Sequence, residues 1–325
     1  MTRPRHEREA VLEDGTVRKE KDSVDLYAIT PFCNKENGTC GESPTTPTPR
    51  TIYSSKSAPQ HKKWLDYNHQ LQQNAKFYAE NRKNNQDARP LILLGDSITE
   101  AWVGTSYGTV SERAKGIPKV LHEWMQQSTT PNNHPRHFDP LVLGISGDQT
   151  QHLLWRLQNG HLQSSYTDNP KTIFVVLIGT NNLGAGELPG PTSEGILAVL
   201  EYLVANTRGN IVYLEVLPRD DTHNLQALCP PRCDKEGQAF RSFLPAIDKV
   251  NELVRQKMGD SSTLSKRVWS VPCGDKFLIQ QEDGKKAIND SLFSDRLHPN
   301  VEGHQILAHC IQSVVQQKEQ ESIQL

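Results

Sequence analysis

The chain has 325 residues, a formal net charge of -2 and a mean hydropathy of -0.63. Near-neutral charge argues against a dedicated nucleic-acid binder, which would show a basic stripe, and no run of about 18 apolar residues encodes a transmembrane helix. The length suits one domain above roughly 200 residues with an extension, or two small domains.

Met1 to Ser23 mixes both charge signs and lacks the apolar stretch of a secretory signal, which by default places the chain in the cytoplasm. Ser43 to Pro59 is rich in Pro, Ser and Thr and too poor in apolar side chains to order itself. Residues 1–60 are therefore expected to form a disordered or loosely attached tail, dispensable up to about residue 55, and residues 61–325 the folded domain. Cys33/Cys40 and Cys229/Cys233 flank short polar loops and read equally as disulfide staples or as reduced thiols. With the sequons at Asn37 and Asn289 they keep secretion open, so the compartment is unassigned. Cys273 and Cys310 lie near expected core elements. No Cys or His spacing matches a zinc finger.

From His61 to Lys83, Trp64, Tyr67, Leu71, Ala75 and Tyr78 recur at helical spacing and predict an amphipathic helix. Leu91 to Leu94 is a continuous apolar run ending at Gly95-Asp96-Ser97, the pattern of a strand buried on both faces. Val120, Leu121, Trp124 and Met125 suggest a short helix, broken over Pro131 to Pro135. Further strands are expected at Leu141–Leu143, Thr172–Ile178, Ile211–Leu217 and Val268–Val271. Helices are expected around Leu153–Leu157, Ile196–Val204, Ile247–Met258 and Ile306–Val315. Strands alternating with helices argue for βαβ units and one parallel sheet covered on both faces. Right-handed crossovers then bring every strand's carboxyl end to one edge.

Four loops fall on that edge, carrying Ser97, Gly147, Asn181 and the segment Ser294-Asp295-Arg296-Leu297-His298-Pro299-Asn300. A serine hydroxyl needs a base within hydrogen-bond reach, and the base needs an orienting carboxylate. Asp295 and His298 are spaced for one turn to aim both inward, and Pro299 suits the first turn of a final helix. The backbone N–H of Gly147, the amide of Asn181 and the N–H of Ser97 are candidate donors to an oxyanion.

The blocks Gly95-Asp96-Ser97, Ile145-Ser146-Gly147-Asp148, Gly179-Thr180-Asn181-Asn182 and Asp295-Arg296-Leu297-His298-Pro299 resemble the four signature blocks of the SGNH hydrolases, or GDSL-type esterases. Gly144–Asp148 running on to Leu154–Gly160, and Gly179–Asn182, are closer still to one branch, the catalytic subunits of intracellular platelet-activating-factor acetylhydrolase Ib. The resemblance covers roughly Leu91 to Gln317. It implies an α/β fold of three layers, a flavodoxin-like doubly wound five-stranded parallel sheet. It implies Ser97 as nucleophile, Asp295 and His298 completing a triad, Gly147 and Asn181 in the oxyanion hole, and no metal or organic cofactor. The family often has Asn four or five positions before the second-block glycine, where this chain has Val142 and Leu143. The tail and the Cys229–Cys233 insertion have no recognised counterpart.

The function expected is a serine esterase for short acyl, above all acetyl, esters of a small molecule, lipid or carbohydrate, with no nucleic-acid partner and a homodimer left open. A carbohydrate O-acetyl esterase is the alternative. A flavodoxin-like binding module would need neither Asp295-x-x-His298-Pro299 nor Asn181. Among neighbouring residues, Ser146 reads as a turn residue, Asp96 as structural, Asn182 as a brace of the third block, Trp155 and Arg156 as helix packing with a pocket wall as the lesser alternative, and His304 and His309 as surface or packing groups.

Overall fold

The structure, a computed structural model, describes residues 9–11, 17–19, 42–51, 58–82, 88–127, 138–221, 225–226, 236–239, 241–282 and 284–323. Five strands form one sheet: β1 (Arg89–Gly95), β2 (Phe138–Gly144), β3 (Ile173–Leu177), β4 (Asn210–Leu214) and β5 (Val268–Val271). Their spatial order is β2-β1-β3-β4-β5, with every neighbouring pair parallel. Apolar β-branched and leucine runs suit such strands because both faces are buried.

Alternation along each strand divides its side chains between two cores. Ile92, Leu94, Phe174, Val176, Ile211 and Tyr213 face helices α1 (Ala58–Asn81), α3 (Thr150–Arg156), α4 (Pro189–Asn206) and α5 (Leu244–Asp260). Leu91, Leu93, Ile173, Val175, Leu177 and Val212 face α2 (Ile117–Gln127) and α6 (Val301–Ile323). The result is the expected three-layer α/β/α arrangement. Each fully buried Leu, Ile or Val contributes roughly 1.5–3 kcal/mol relative to exposure, so either core holds the sheet flat against its helices.

The order reverses beside β1, whose neighbours β2 and β3 lie on opposite sides. In open α/β sheets ligands collect outside the carboxyl ends at such a point. There the backbone packs tightly: a Cβ on Gly144 would lie 2.4 Å from Glu100 N, so only glycine lets the turn after β1 rest on the end of β2.

Sequence and structure differ in the tail and in the fourth strand. Residues 42–51 fall in the stretch expected to be a loose tail, yet they lie on the domain, joined by backbone and side-chain hydrogen bonds to the first turn of α3. Polar contacts, not apolar periodicity, hold them, so hydrophobic patterning could not reveal them. The strand expected at Ile211–Leu217 stops pairing at Leu214, although Glu215 N still donates to Val271 O at 3.2 Å. Cys273, after β5, is disulfide-bonded to Cys310 on α6 with a Cα–Cα separation of 6.1 Å. Cys33, Cys40, Cys229, Cys233 and the Pro131–Pro135 break lie outside the described residues.

Candidate active site

Ser97 opens a short helix, Ser97–Glu100, at the end of β1. Asp96 caps it, its Oδ1 accepting from Ile98 N at 2.9 Å. This local bond fixes the turn and leaves Ser97 only 5% exposed. His298 comes from a loop before α6, which is pinned on several sides. Ser294 N donates to His298 O at 2.8 Å, Asn300 N to Leu292 O at 2.9 Å and Asp220 N to Arg296 O at 2.9 Å. Arg296 holds a left-handed φ of 61° there, a conformation costly for a residue with a Cβ. Its guanidinium pairs with Asp290 at 2.8 Å and Asp220 at 3.2 Å, which ties the strained turn to its neighbours.

The loops bring Ser97, His298 and Asp295 together although 201 residues separate the first two: Ser97 Oγ lies 2.9 Å from His298 Nε2. His298 Nδ1 lies 2.8 Å from Asp295 Oδ2 and 2.9 Å from Oδ1. Asp295 also accepts from the backbone N–H groups of His298 (2.8 Å) and Leu297 (3.2 Å). Burial would raise the Asp295 carboxyl, but these donors and the His298 ring outweigh it and hold it well below the usual carboxylate range. The tautomer consistent with that carboxylate carries its proton on Nδ1 and leaves Nε2 free to accept the Ser97 hydroxyl proton.

A carboxylate beside an imidazole favours the charged ring and by itself would raise the ionisation of His298 above the usual ~6.5. Burial lowers it instead; Asp295 opposes that, and the positive charge of Arg113 reinforces it.

The second and third blocks converge on the same edge. Gly147 has φ 80°, a left-handed turn that a residue with a Cβ adopts only under strain. Asn181 Nδ2 donates to Asp148 O at 2.9 Å, and its other N–H reaches Asp96 Oδ2 at 3.3 Å. Asn181 is thus fastened between the residue after Gly147 and the residue before Ser97. Burial pushes the Asp96 carboxyl up to about 7; the Ile98 N–H opposes this and the charge of Asp148 adds to it.

The neighbouring groups have structural partners. Asn182, expected to brace its own block, accepts from Thr150 N at 3.0 Å and so braces the start of α3. Arg156 does more than pack a helix. It is fully buried, pairs with Asp148 at 2.6 Å and donates to Leu143 O (3.0 Å) and Gly95 O (3.1 Å), the ends of β2 and β1. His304 is a packing residue, edge-on to Trp102 with its ring nitrogens facing Ile98 O (3.1 Å) and Asn300 O (3.0 Å). His309 is exposed. Ser146 is a turn residue held by Glu100, whose Oε2 accepts from both Ser146 N and Ser146 Oγ at 2.7 Å.

Sequence reading missed Glu100, Arg113 and Arg50. Glu100 gave one usable signal, a carboxylate one helical turn after Ser97 in an otherwise buried segment. Arg113 and Arg50 gave none, because tertiary contacts alone bring them to the site. Among the described residues no group of three or more His, Cys, Asp or Glu could hold a metal ion. No described helix is long and apolar enough to cross a membrane.

Known proteins resemble this chain in sequence and in fold. The model of the GDSL-like lipase/acylhydrolase family matches residues 93–306. Platelet-activating factor acetylhydrolase IB subunit alpha1 of Pongo abelii is 41% identical over 116 residues, 35% of this chain and 40% of that protein. Subunit alpha2 of Homo sapiens is 43% identical over 120 residues, 35% and 46% of the two lengths. The chain therefore spans less than half the length of these relatives. A Streptococcus pneumonia structure described as a platelet activating factor superposes with a TM-score of 0.52 at 17% identity, covering 80% of this chain and 99% of that one, a likeness of fold. The family match runs from β1 through the Asp295–His298 loop into α6, and on that ground the chain belongs to the GDSL-like lipase/acylhydrolase family.

Proposed function

We propose that the protein is a serine esterase that cleaves short acyl, above all acetyl, esters through an acyl-enzyme. The observation that carries this reading is the continuous path from Ser97 Oγ through the His298 ring to Asp295, with contacts of 2.9 and 2.8 Å.

In the first step His298 Nε2 takes the Ser97 proton as Oγ bonds to the ester carbonyl carbon, and the carbonyl oxygen becomes an oxyanion. The N–H groups of Gly147 and Ser97 and the Asn181 amide are the proposed donors to it. The Asn181 N–H directed at Asp96, the longer of its two contacts at 3.3 Å, is the one a new anion would draw away. Collapse breaks the bond to the alcohol oxygen, which leaves with the proton from His298. Water then repeats the cycle: His298 takes its proton, its oxygen attacks the acyl carbon, and Ser97 is released with that proton. Asp295 holds the imidazole and stabilises it while charged.

The acetyl preference is carried over from the names of the acetylhydrolase relatives. The test is hydrolysis of p-nitrophenyl esters of increasing acyl length, beside an acetylated xylan, with Ser97→Ala as control. Fastest turnover on the acetate, abolished in the variant, is expected. Turnover by Ser97→Ala at the normal rate would sink the mechanism, and release of acetate from the polysaccharide alone would favour a carbohydrate O-acetyl esterase. A fluorophosphonate should label Ser97 and not Ser146.

A further inference from the structure

Residues 42–51 lie as a strap across the first turn of α3. The Glu42 carboxylate accepts from Thr51 Oγ1 (2.6 Å) and Gln151 Nε2 (3.1 Å) and pairs with His152 Nε2 at 2.7 Å. Pro44 O accepts from Thr150 Oγ1 at 2.9 Å, and Thr48 N donates to Gln151 O at 3.2 Å. Burial alone would raise Glu42, but its contacts, His152 foremost, bring it down to about 2, so the anchor carries a charge at neutral pH.

The strap delivers Arg50 to the oxyanion loop. Arg50 Nη1 donates to Tyr107 OH at 2.8 Å and to Ser146 O at 3.3 Å. A Cβ on Gly147 would stand only 2.5 Å from the same nitrogen, so the guanidinium lies against the Gly147 backbone. Among the described residues no carboxylate lies within ion-pair distance of Arg50. The residue that receives it is itself constrained: Tyr107 has a left-handed φ of 51°, in a turn whose Gly108 N donates to Glu100 Oε1 at 2.9 Å.

These contacts converge on one peptide unit. The carbonyl of Ser146 and the N–H of Gly147 belong to the same planar, trans peptide, so they point in opposite directions. Arg50 holds the carbonyl of that peptide, while Glu100 holds the Ser146 hydroxyl and the N–H of the peptide before it, so the two planes that meet at the Ser146 Cα are both restrained. A cation on the carbonyl also polarises the peptide and strengthens its N–H as a donor.

We propose that Arg50 is a positioning residue: by gripping the Ser146 carbonyl it aims and polarises the Gly147 N–H at the developing oxyanion, and the strap is a working part of the active site. The proposal rests on the reading of Gly147 as an oxyanion donor. Arg50 acts through that peptide and contacts no reacting atom.

The test measures kcat and KM on p-nitrophenyl acetate for Arg50→Met, Arg50→Lys and Arg50→Ala, the last with and without added ethylguanidinium, with melting temperatures for all and Ser97→Ala in parallel. Losing a whole oxyanion donor costs about 10²–10³ in kcat, so a donor left in place but misaimed should cost on the order of tenfold. The expected result is that fall in kcat for Arg50→Met with KM within about twofold, since the interaction grows only as charge develops. Arg50→Lys should recover part of the rate, and ethylguanidinium should raise kcat of Arg50→Ala but not of wild type. Wild-type kcat in Arg50→Met, a change confined to KM, or a loss that neither lysine nor ethylguanidinium restores would each overturn the proposal; the last would leave the strap as a structural anchor only. Ser97→Ala separates the two readings. If it is inactive while Arg50→Met is normal, only the role of Arg50 falls; if it is active, the serine mechanism falls.

Discussion

Arg113 Nη1 lies 3.1 Å from His298 Nδ1, the same nitrogen that faces Asp295 at 2.8 Å. One ring nitrogen cannot donate to the carboxylate and accept from the guanidinium at once. With Asp295 ionised, the proton stays on Nδ1 and Arg113 acts as a nearby charge. It stands 3.8 Å from Asp295 and so attracts the carboxylate while repelling a charged imidazole. The two effects oppose each other at His298, where burial already favours the neutral ring.

Arg113→Met should therefore move the acid limb of the kcat/KM profile to higher pH. Removing the cation favours the imidazolium, the inactive form of the base, so a higher pH is needed to clear it. A shift of up to about one unit, roughly 1.4 kcal/mol, is expected, with the plateau above pH 8 nearly unchanged. The wild-type midpoint should lie below the unperturbed ~6.5. A midpoint that stayed put or fell on substitution would show that Arg113 does not tune the ring.

The triad members should not be additive. His298→Ala should cost nearly as much activity as Ser97→Ala, and the double variant almost nothing more than either. Asp295→Asn keeps the shape but accepts less strongly and can hold the wrong tautomer, for a loss on the order of 10³ or more in kcat. Rates measured for all four variants decide it; losses that multiplied would mean independent roles.

The Arg156–Asp148 pair should bear on stability more than any surface ion pair. Both side chains have no solvent exposure, and Asp148 also accepts from Trp64 Nε1 at 2.6 Å. Arg156→Met leaves that carboxylate buried without its cation and frees the carbonyls of Gly95 and Leu143. Breaking such a pair costs about 3–5 kcal/mol. Denaturant unfolding of Arg156→Met beside Lys62→Met, whose partner Asp66 is exposed, should separate the two by most of that amount. Equal stabilities would refute the assignment.

These residues also mark what was legible in the sequence. Leu91–Leu94 and Ile173–Val176 announce buried strands because both faces of a parallel strand are apolar, and the helices show because each buries a stripe. Ser97, Gly147, Asn181, Asp295 and His298 stand out because strand ends put four short blocks on one edge in a fixed order. Arg156, next to a block, reads as packing because a buried cation looks like a surface one until its partners are known. Arg113, Tyr107 and the 42–51 strap leave no periodic trace. They reach the site through scattered polar contacts, among them Arg50–Tyr107 and Arg113–His298, 57 and 185 residues apart in sequence.

The Cys273–Cys310 bond should hold the loop that carries Asp295 and His298. It closes a ring of sequence separation 37 that contains both residues, and it joins the end of β5 to the middle of α6. Cross-linking a chain over that length restricts the unfolded state by about 4 kcal/mol in the loop-entropy account. Both cysteines are at most 5% exposed, so a mild reductant should act only through opened molecules. The Cys273→Ala/Cys310→Ala variant should melt several degrees lower. It should retain most of its activity at 25 °C, because the Asp295–His298–Ser97 contacts do not involve either sulfur. Proteolysis near residues 280–300 should become faster, because this ring would open more often. An unchanged melting temperature would mean that the packing of α6 on Leu307, Ala308 and Ile311 already holds the loop and that the bond adds nothing. A large loss of activity at 25 °C would mean instead that the bond sets the position of His298 in the folded enzyme.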